Sequence, residues 1–259
     1  MAILQQFQAE LGRAWIQFKR YPAESIGGIF ITTSIFYGLF LSAKYIAGPT
    51  LQFGDRLDSM IVSYVLWSLV LFVGASIVGT LQDEAQTGTL EQLFLSSMGA
   101  RRVFLLRAIA SLCIQLILIT IILTIIMVLT GRYLTFTPAV LPALAVVLLP
   151  AYGLAFFMGS IALLFKRVQQ FLGILQFGYL FLLTAPTEEW TGTAKVVGWL
   201  LPMSPGAGLL RSLMAKNLPW DWGQFSIALL NGLGYFAIGW TTFYIAERET
   251  KRRGRLGGY

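Results

Sequence analysis

Six long stretches of this chain carry no charged side chain, and their lengths constrain the fold more than any motif does. Glu24 and Lys44 bracket the first, which places a span at about 26–46. The others cover about 59–82, 108–131, 138–165, 168–187 and 222–246. A helix rises 1.5 Å per residue, so about 20 apolar residues cross the ~30 Å hydrocarbon core of a bilayer. Within that core every backbone N–H and C=O needs an internal partner, which a helix provides by itself. The expectation is an all-α, polytopic membrane protein with six transmembrane helices. Composition agrees, because 12% charged residues and 56% hydrophobic ones cannot clothe a water-facing surface. Pro138, Pro142 and Pro150 predict a ragged start or kinks in the fourth span.

The net charge of +7 reads as span-flanking Lys and Arg rather than as a nucleic-acid surface, since the basic residues fall in short segments between spans. With the N-terminus inside, thirteen of the 19 Lys and Arg fall on the cytoplasmic side and six on the outer side. That asymmetry predicts a multi-pass protein of the cell inner (plasma) membrane with both termini cytoplasmic. Residues 1–24 read as an amphipathic interfacial helix. Leu4, Phe7, Leu11, Trp15 and Phe18 form one stripe, with Gln5, Gln8, Glu10, Arg13 and Gln17 between them. Residues 25–246 hold the six-span domain, and 247–259 form a basic cytoplasmic tail. Between Lys195 and Arg211 the apolar run is too short to cross and is broken by Pro202 and Pro205. A re-entrant or interfacial hairpin over about 188–218, between the fifth and sixth spans, is expected there.

Much chemistry is excluded. Histidine is absent and Cys113 is the only cysteine, so neither a disulfide framework nor a thiolate metal site can form within the chain. No GxxxxGK[ST] loop is present, and no soluble nucleotide domain fits. Adjacent carboxylates, Glu188 with Glu189 and Asp83 with Glu84, point apart on a helix and make no ready acid–base couple. The chain is not expected to be an enzyme and carries no cofactor of its own. No ionisable residue falls at mid-span, which disfavours an ion-coupled carrier. Gln115, Gln176 and Asn231 are expected to bond neighbouring helices, and Ala75 with Gly79 and Ala155 with Gly159 offer close helix approaches.

One polar island, Asp83–Arg102, interrupts the second and third spans on the side counted as cytoplasmic. Gly88 permits a sharp turn. Thr89 and Gln92 have the spacing of a capping box, and Gly99 can stop a helix. Leu90, Leu93 and Phe94 then share a face that needs a groove. The spacing predicts a short helix of about nine residues lying across the end of the second span, within about 83–100.

The run Glu84-Ala85-Gln86-Thr87-Gly88-Thr89-Leu90-Glu91-Gln92-Leu93 resembles the E-x-x-x-G-T-L-E-x-L signature of the ABC type-2 permeases, the transmembrane subunits of type V exporters. The resemblance extends to the amphipathic start, the six spans, the Ser204-Pro205 hairpin before the last span and the basic tail. Ala85 and Met98 depart from the Arg and Pro that relatives often carry near those places. The resemblance implies that the island is a coupling helix docked in a cleft of a separate ATPase. Glu84, Gly88, Thr89, Leu90, Glu91, Leu93 and Phe94 would make that contact. Pro202, Ser204 and Pro205 would belong to an outer gate hairpin. It further implies two cassette ATPase copies holding ATP and Mg, and a permease homodimer or heterodimer in membrane lipid. The cargo would be amphipathic, lipid-linked, glycan or drug-like. Two alternatives stay open: a non-transporting scaffold for a cytoplasmic partner, and a secondary carrier.

Overall fold

The structure is a computed structural model and describes residues 2–47, 54–94, 99–165 and 169–252. These residues form helices joined by short turns, and no strand occurs among them. The first helix, α1 (Ala2–Arg20), ends on Lys19 and Arg20, cations suited to the negative end of a helix. After Tyr21, α2 (Pro22–Ala47) starts on a proline, where no N–H is needed. There follow α3 (Gly54–Gln86), α4 (Leu90–Phe94), α5 (Ala100–Thr130), α6 (Val140–Phe165), α7 (Gln169–Thr184), α8 (Gly192–Leu200), α9 (Ser204–Met214) and α10 (Trp222–Arg252). Gly48, Pro49, the side chains of Glu91 and Met98, the Lys166–Arg167 turn and the tail beyond Arg252 lie outside the described residues.

Four helices are long and apolar enough to cross a membrane: Pro22–Ser42, Arg56–Gln86, Ala100–Thr130 and Val140–Phe165. The other two expected spans are not among these four. Helix α7 is described over 16 residues, about 24 Å of helix, and residues 166–168 before it lie outside the described residues. In α10 the length is ample, at 31 residues, but Gly223, Gly232, Gly234, Gly239 and Asn231 dilute the apolar character. The third span begins earlier than its charge-free run. Helix α5 starts at Ala100, so Arg101, Arg102 and Arg107 ride on its first turns. The basic tail likewise opens as an extension of α10 through Arg252.

Helices α6 and α10 form the tightest pair. A Cβ on Gly239 would sit 1.8 Å from the Gly153 carbonyl oxygen, and one on Gly153 would sit 2.3 Å from that of Tyr235. The two backbones therefore touch, which only glycine allows. Lipid tails are as apolar as leucine, so van der Waals contact of this kind holds such helices together. Of the anticipated small-residue pairs, Gly159 receives the Phe243 ring, whereas Gly79 faces open space. Phe156 is fully buried beside Phe236, Trp240 and Phe243, at ring centroid distances of 6.3, 5.3 and 5.4 Å. Pro142 falls in the first turn of α6 and Pro150 inside it, so the prolines leave the helix continuous.

Helices α3, α6, α9 and α10 surround the core, and α1 lies along α5. Helix α2 is the outlier. Only 11% of its most apolar window is buried, against 61% for α3. Phe36 against Tyr64 and the Tyr64 hydroxyl donating to the Thr32 carbonyl at 2.7 Å tie it to α3. Asn231 does bond a neighbour, donating to the carbonyls of Trp199 at 2.9 Å and Leu201 at 3.2 Å, which end α8.

Candidate functional site

Charge gathers at the two ends of the bundle. At one end, α3 stops at Gln86 and the chain reverses through Thr87, Gly88 and Thr89 into α4. Gly88 has φ +73°, a left-handed conformation that glycine adopts without strain. The Thr87 hydroxyl closes the turn by donating to the Asp83 carbonyl at 2.8 Å. The Thr89 hydroxyl donates to the Glu84 carboxylate. The anticipated capping box is not made: the Thr89 backbone N–H is already bonded to the Glu84 carbonyl at 3.0 Å, and Gln92 is exposed.

The other carboxylate oxygen of Glu84 accepts from Arg107 of α5 at 2.6 Å. Arg107 also donates to Glu10 of α1 at 3.2 Å. One guanidinium thus joins α1, α3 and α5 at the turn that leads into α4. All three side chains are 12–15% exposed, so the bridge is largely withdrawn from water. A planar fork of donors suits this double engagement better than an ammonium would. A second set of contacts holds the far side of α4. Lys251 of α10 lies over the Phe94 ring at 5.4 Å and pairs with Glu247 at 2.8 Å. Glu247 in turn meets Arg101 at 3.3 Å. Both α1 and the end of α10 therefore reach the Glu84 end of the bundle.

The apolar face of α4 is turned inward. Leu90 and Phe94 are buried at 2% and 4% exposure, and Leu93 packs partly against the same core. The groove anticipated for them is supplied by this chain's own helices, with Ala100 and Phe104 of α5 in the same core cluster. What faces outward is polar: Asp83, Gln86, Thr87, Gly88, Gln92 and Arg102. Arg107 and Glu10 are the residues that sequence reasoning missed. Arg107 was visible as an arginine at the very edge of an apolar run, and Glu10 as an acid on the polar face of α1.

At the opposite end, the stretch where a hairpin is expected holds two short helices, α8 and α9, joined through Leu201, Pro202 and Met203. Met203 is fully buried with φ +64°, an uncommon conformation for a residue with a side chain. Ser204 and Pro205 open α9, and the Ser204 hydroxyl pairs with that of Thr187 at 2.6 Å. Nearly all of α9 is buried. Its anchor is Arg211, 1% exposed, which makes a two-pronged bond to Glu188 at 2.9 and 2.6 Å. Arg211 also donates to Ser63 at 3.2 Å and to the carbonyls of Leu183 and Ala185. Burial pushes the Glu188 carboxyl up, but the Arg211 bonds and charge, with help from Lys216, hold it below the usual carboxylate range. Charge thus reaches inward at this end: Ser63, within the second uncharged run, bonds a buried arginine.

These features define a class: an all-helical protein of membrane-spanning character, with an ionic knot at one end and a buried arginine clamp at the other. No protein-family model matches the chain, and no curated protein matches it either.

Proposed function

We propose that the chain is the permease subunit of an ATP-binding-cassette exporter, with six spans, both termini cytoplasmic and the α3–α4 turn as its ATPase contact. The observation that carries this reading is the Arg107 bridge. The turn bearing the G-T-L-E run is wired through Glu84 to Arg107 and through Arg107 to Glu10. A push on that turn reaches α1, α3 and α5 together. The absence of a nucleotide loop in the sequence supports a separate energy source. The dock would be the polar outward face, Asp83, Gln86, Thr87 and Gly88 with Gln92, while Leu90 and Phe94 tie α4 to the bundle. ATP closure of two partner subunits would shift this turn and reorient α2, α3 and α7 at an interface between two permeases.

The test is co-purification from native membranes, followed by transport with Glu84→Ala and Gln92→Glu. Under this proposal a cassette ATPase comes down with the wild-type chain, and each variant uncouples ATP hydrolysis from cargo movement. Recovery with no cassette ATPase would overturn it. A partner bound without cargo movement would instead indicate a scaffold, and movement driven by an ion gradient a secondary carrier.

A further inference from the structure

A cavity of about 220 Å3 opens at the end of the bundle opposite Glu84, between α8, α9 and the start of α10. Glu188, Lys195, Trp199, Pro205, Asp221 and Gln224 are among its lining residues. The volume lies below the ~300–1,000 Å3 of sites for drug-sized molecules, so it suits a polar headgroup rather than a whole amphiphile. Its charges are specific. Glu188 is already neutralised by Arg211 and Lys216. Lys195, by contrast, pairs with no carboxylate among the described residues and lies over the Trp199 ring at 5.6 Å. Asp221 uses one carboxylate oxygen to accept from the N–H groups of Gly223 at 2.7 Å and Gln224 at 3.2 Å. Its other oxygen has no partner among the described residues. One cation and one anion therefore line the same small cavity without pairing with each other. A ligand carrying a single sign of charge satisfies only one of them. A ligand carrying both satisfies the two together.

The surroundings indicate where such a ligand comes from. Val196, Val197 and Leu200 of α8 and Trp222 and Leu230 of α10 are exposed apolar residues on the helices that border the cavity. Acyl chains can lie along them, and tryptophan favours the level of lipid headgroups. We propose that this cavity binds the headgroup of a zwitterionic phospholipid. Its phosphate meets Lys195, and its amine meets the open carboxylate oxygen of Asp221. The site stands independently of any ATPase contact at the other end.

Delipidated full-length protein in detergent, titrated with dioleoyl phosphatidylethanolamine and dioleoyl phosphatidylglycerol and read by native mass spectrometry, tests this. The expected result is one saturable site with about tenfold preference for the zwitterion, as loss of one charge-assisted contact implies. Lys195→Gln should weaken both lipids. Asp221→Asn should weaken only the ethanolamine lipid, and an asparagine keeps the helix cap, so the fold is retained. Equal retention of both lipids, unchanged in both variants, would overturn the site. Water-soluble glycerophosphoethanolamine is the third arm. If it competes weakly the ligand is a lipid, and if it binds as tightly as the lipid does, a membrane source is overturned.

Discussion

Arg107 sits between two carboxylates that would otherwise face each other across α1 and α3. Arg107→Ala leaves Glu10 and Glu84 without their shared cation. Removing one partner of a fully buried pair costs about 3–5 kcal/mol, and the residual solvation here reduces that to roughly 2–3 kcal/mol. Thermal unfolding in detergent should show the loss, with Arg107→Lys recovering only part of it because an ammonium lacks the fork. At the other end the pH dependence has a definite sign. The folded Glu188 carboxyl lies below its unfolded value, so its stabilisation is complete above the ordinary carboxylate range. It is lost as pH falls through that range and into the lower folded value. A melting series from pH 7 down to pH 3 should show this slope in the wild type. Glu188→Gln should be less stable at pH 7 and should lose the portion of the slope that this residue contributes.

At the scale of elements, glycine positions divide sharply. Gly239→Ala forces a methyl into the Gly153 backbone, where no side chain can swing aside. It should lower stability by about 1–3 kcal/mol, the usual cost of overpacking, or more if the seam opens. Gly79→Ala meets nothing within 4 Å and replaces a poor helix former, so it should be neutral or raise stability by up to about 1 kcal/mol. Melting temperatures of the two variants check both. Uncharged runs in the sequence marked four helices long and apolar enough to cross, because uncharged length is a direct physical requirement of crossing a bilayer. It could not show which glycines meet. Gly153 and Gly239 lie far apart in the chain, and no local spacing marks them, whereas the local pair Ala75 and Gly79 makes no such contact. The capping box failed for a related reason. The Thr89 N–H that Gln92 would have to reach is taken by the Glu84 carbonyl, and the Thr89 hydroxyl donates to the Glu84 carboxylate that Arg107 holds from α5. The inward face of α4 was legible as apolar, but its groove depended on α5.

For the molecule as a whole, the ionic knot and the arginine clamp mark opposite poles. Cys113 is the only cysteine, so a Cys113→Ser background accepts single reporters. Gln92→Cys and Arg248→Cys should react with an impermeant maleimide from one side of sealed vesicles, and Thr191→Cys and Asp221→Cys from the other. Labelling of Gln92→Cys and Asp221→Cys from the same side would remove the proposed topology. Arg211 shows why a count of charges along the chain is an incomplete guide to depth. It lies outside every uncharged run, yet its side chain is buried against Ser63 and the carbonyls at the end of α7.

The seam between α6 and α10 has a mechanical consequence. Two backbones in direct contact have no side-chain rotamers between them to absorb a displacement, so the pair behaves as a stator with no soft coordinate. If the α3–α4 turn is pushed as proposed, the motion is taken up elsewhere, and the least buried of the long helices is α2. It packs along α5 and is tied to α3 at Thr32 and Phe36, part-way along its length. A tilt of about 10° there would carry the Pro22 end by about 2.6 Å, given ten residues at 1.5 Å each. Amide exchange along α2 should accordingly be the fastest among the long helices, and along the α6–α10 seam the slowest.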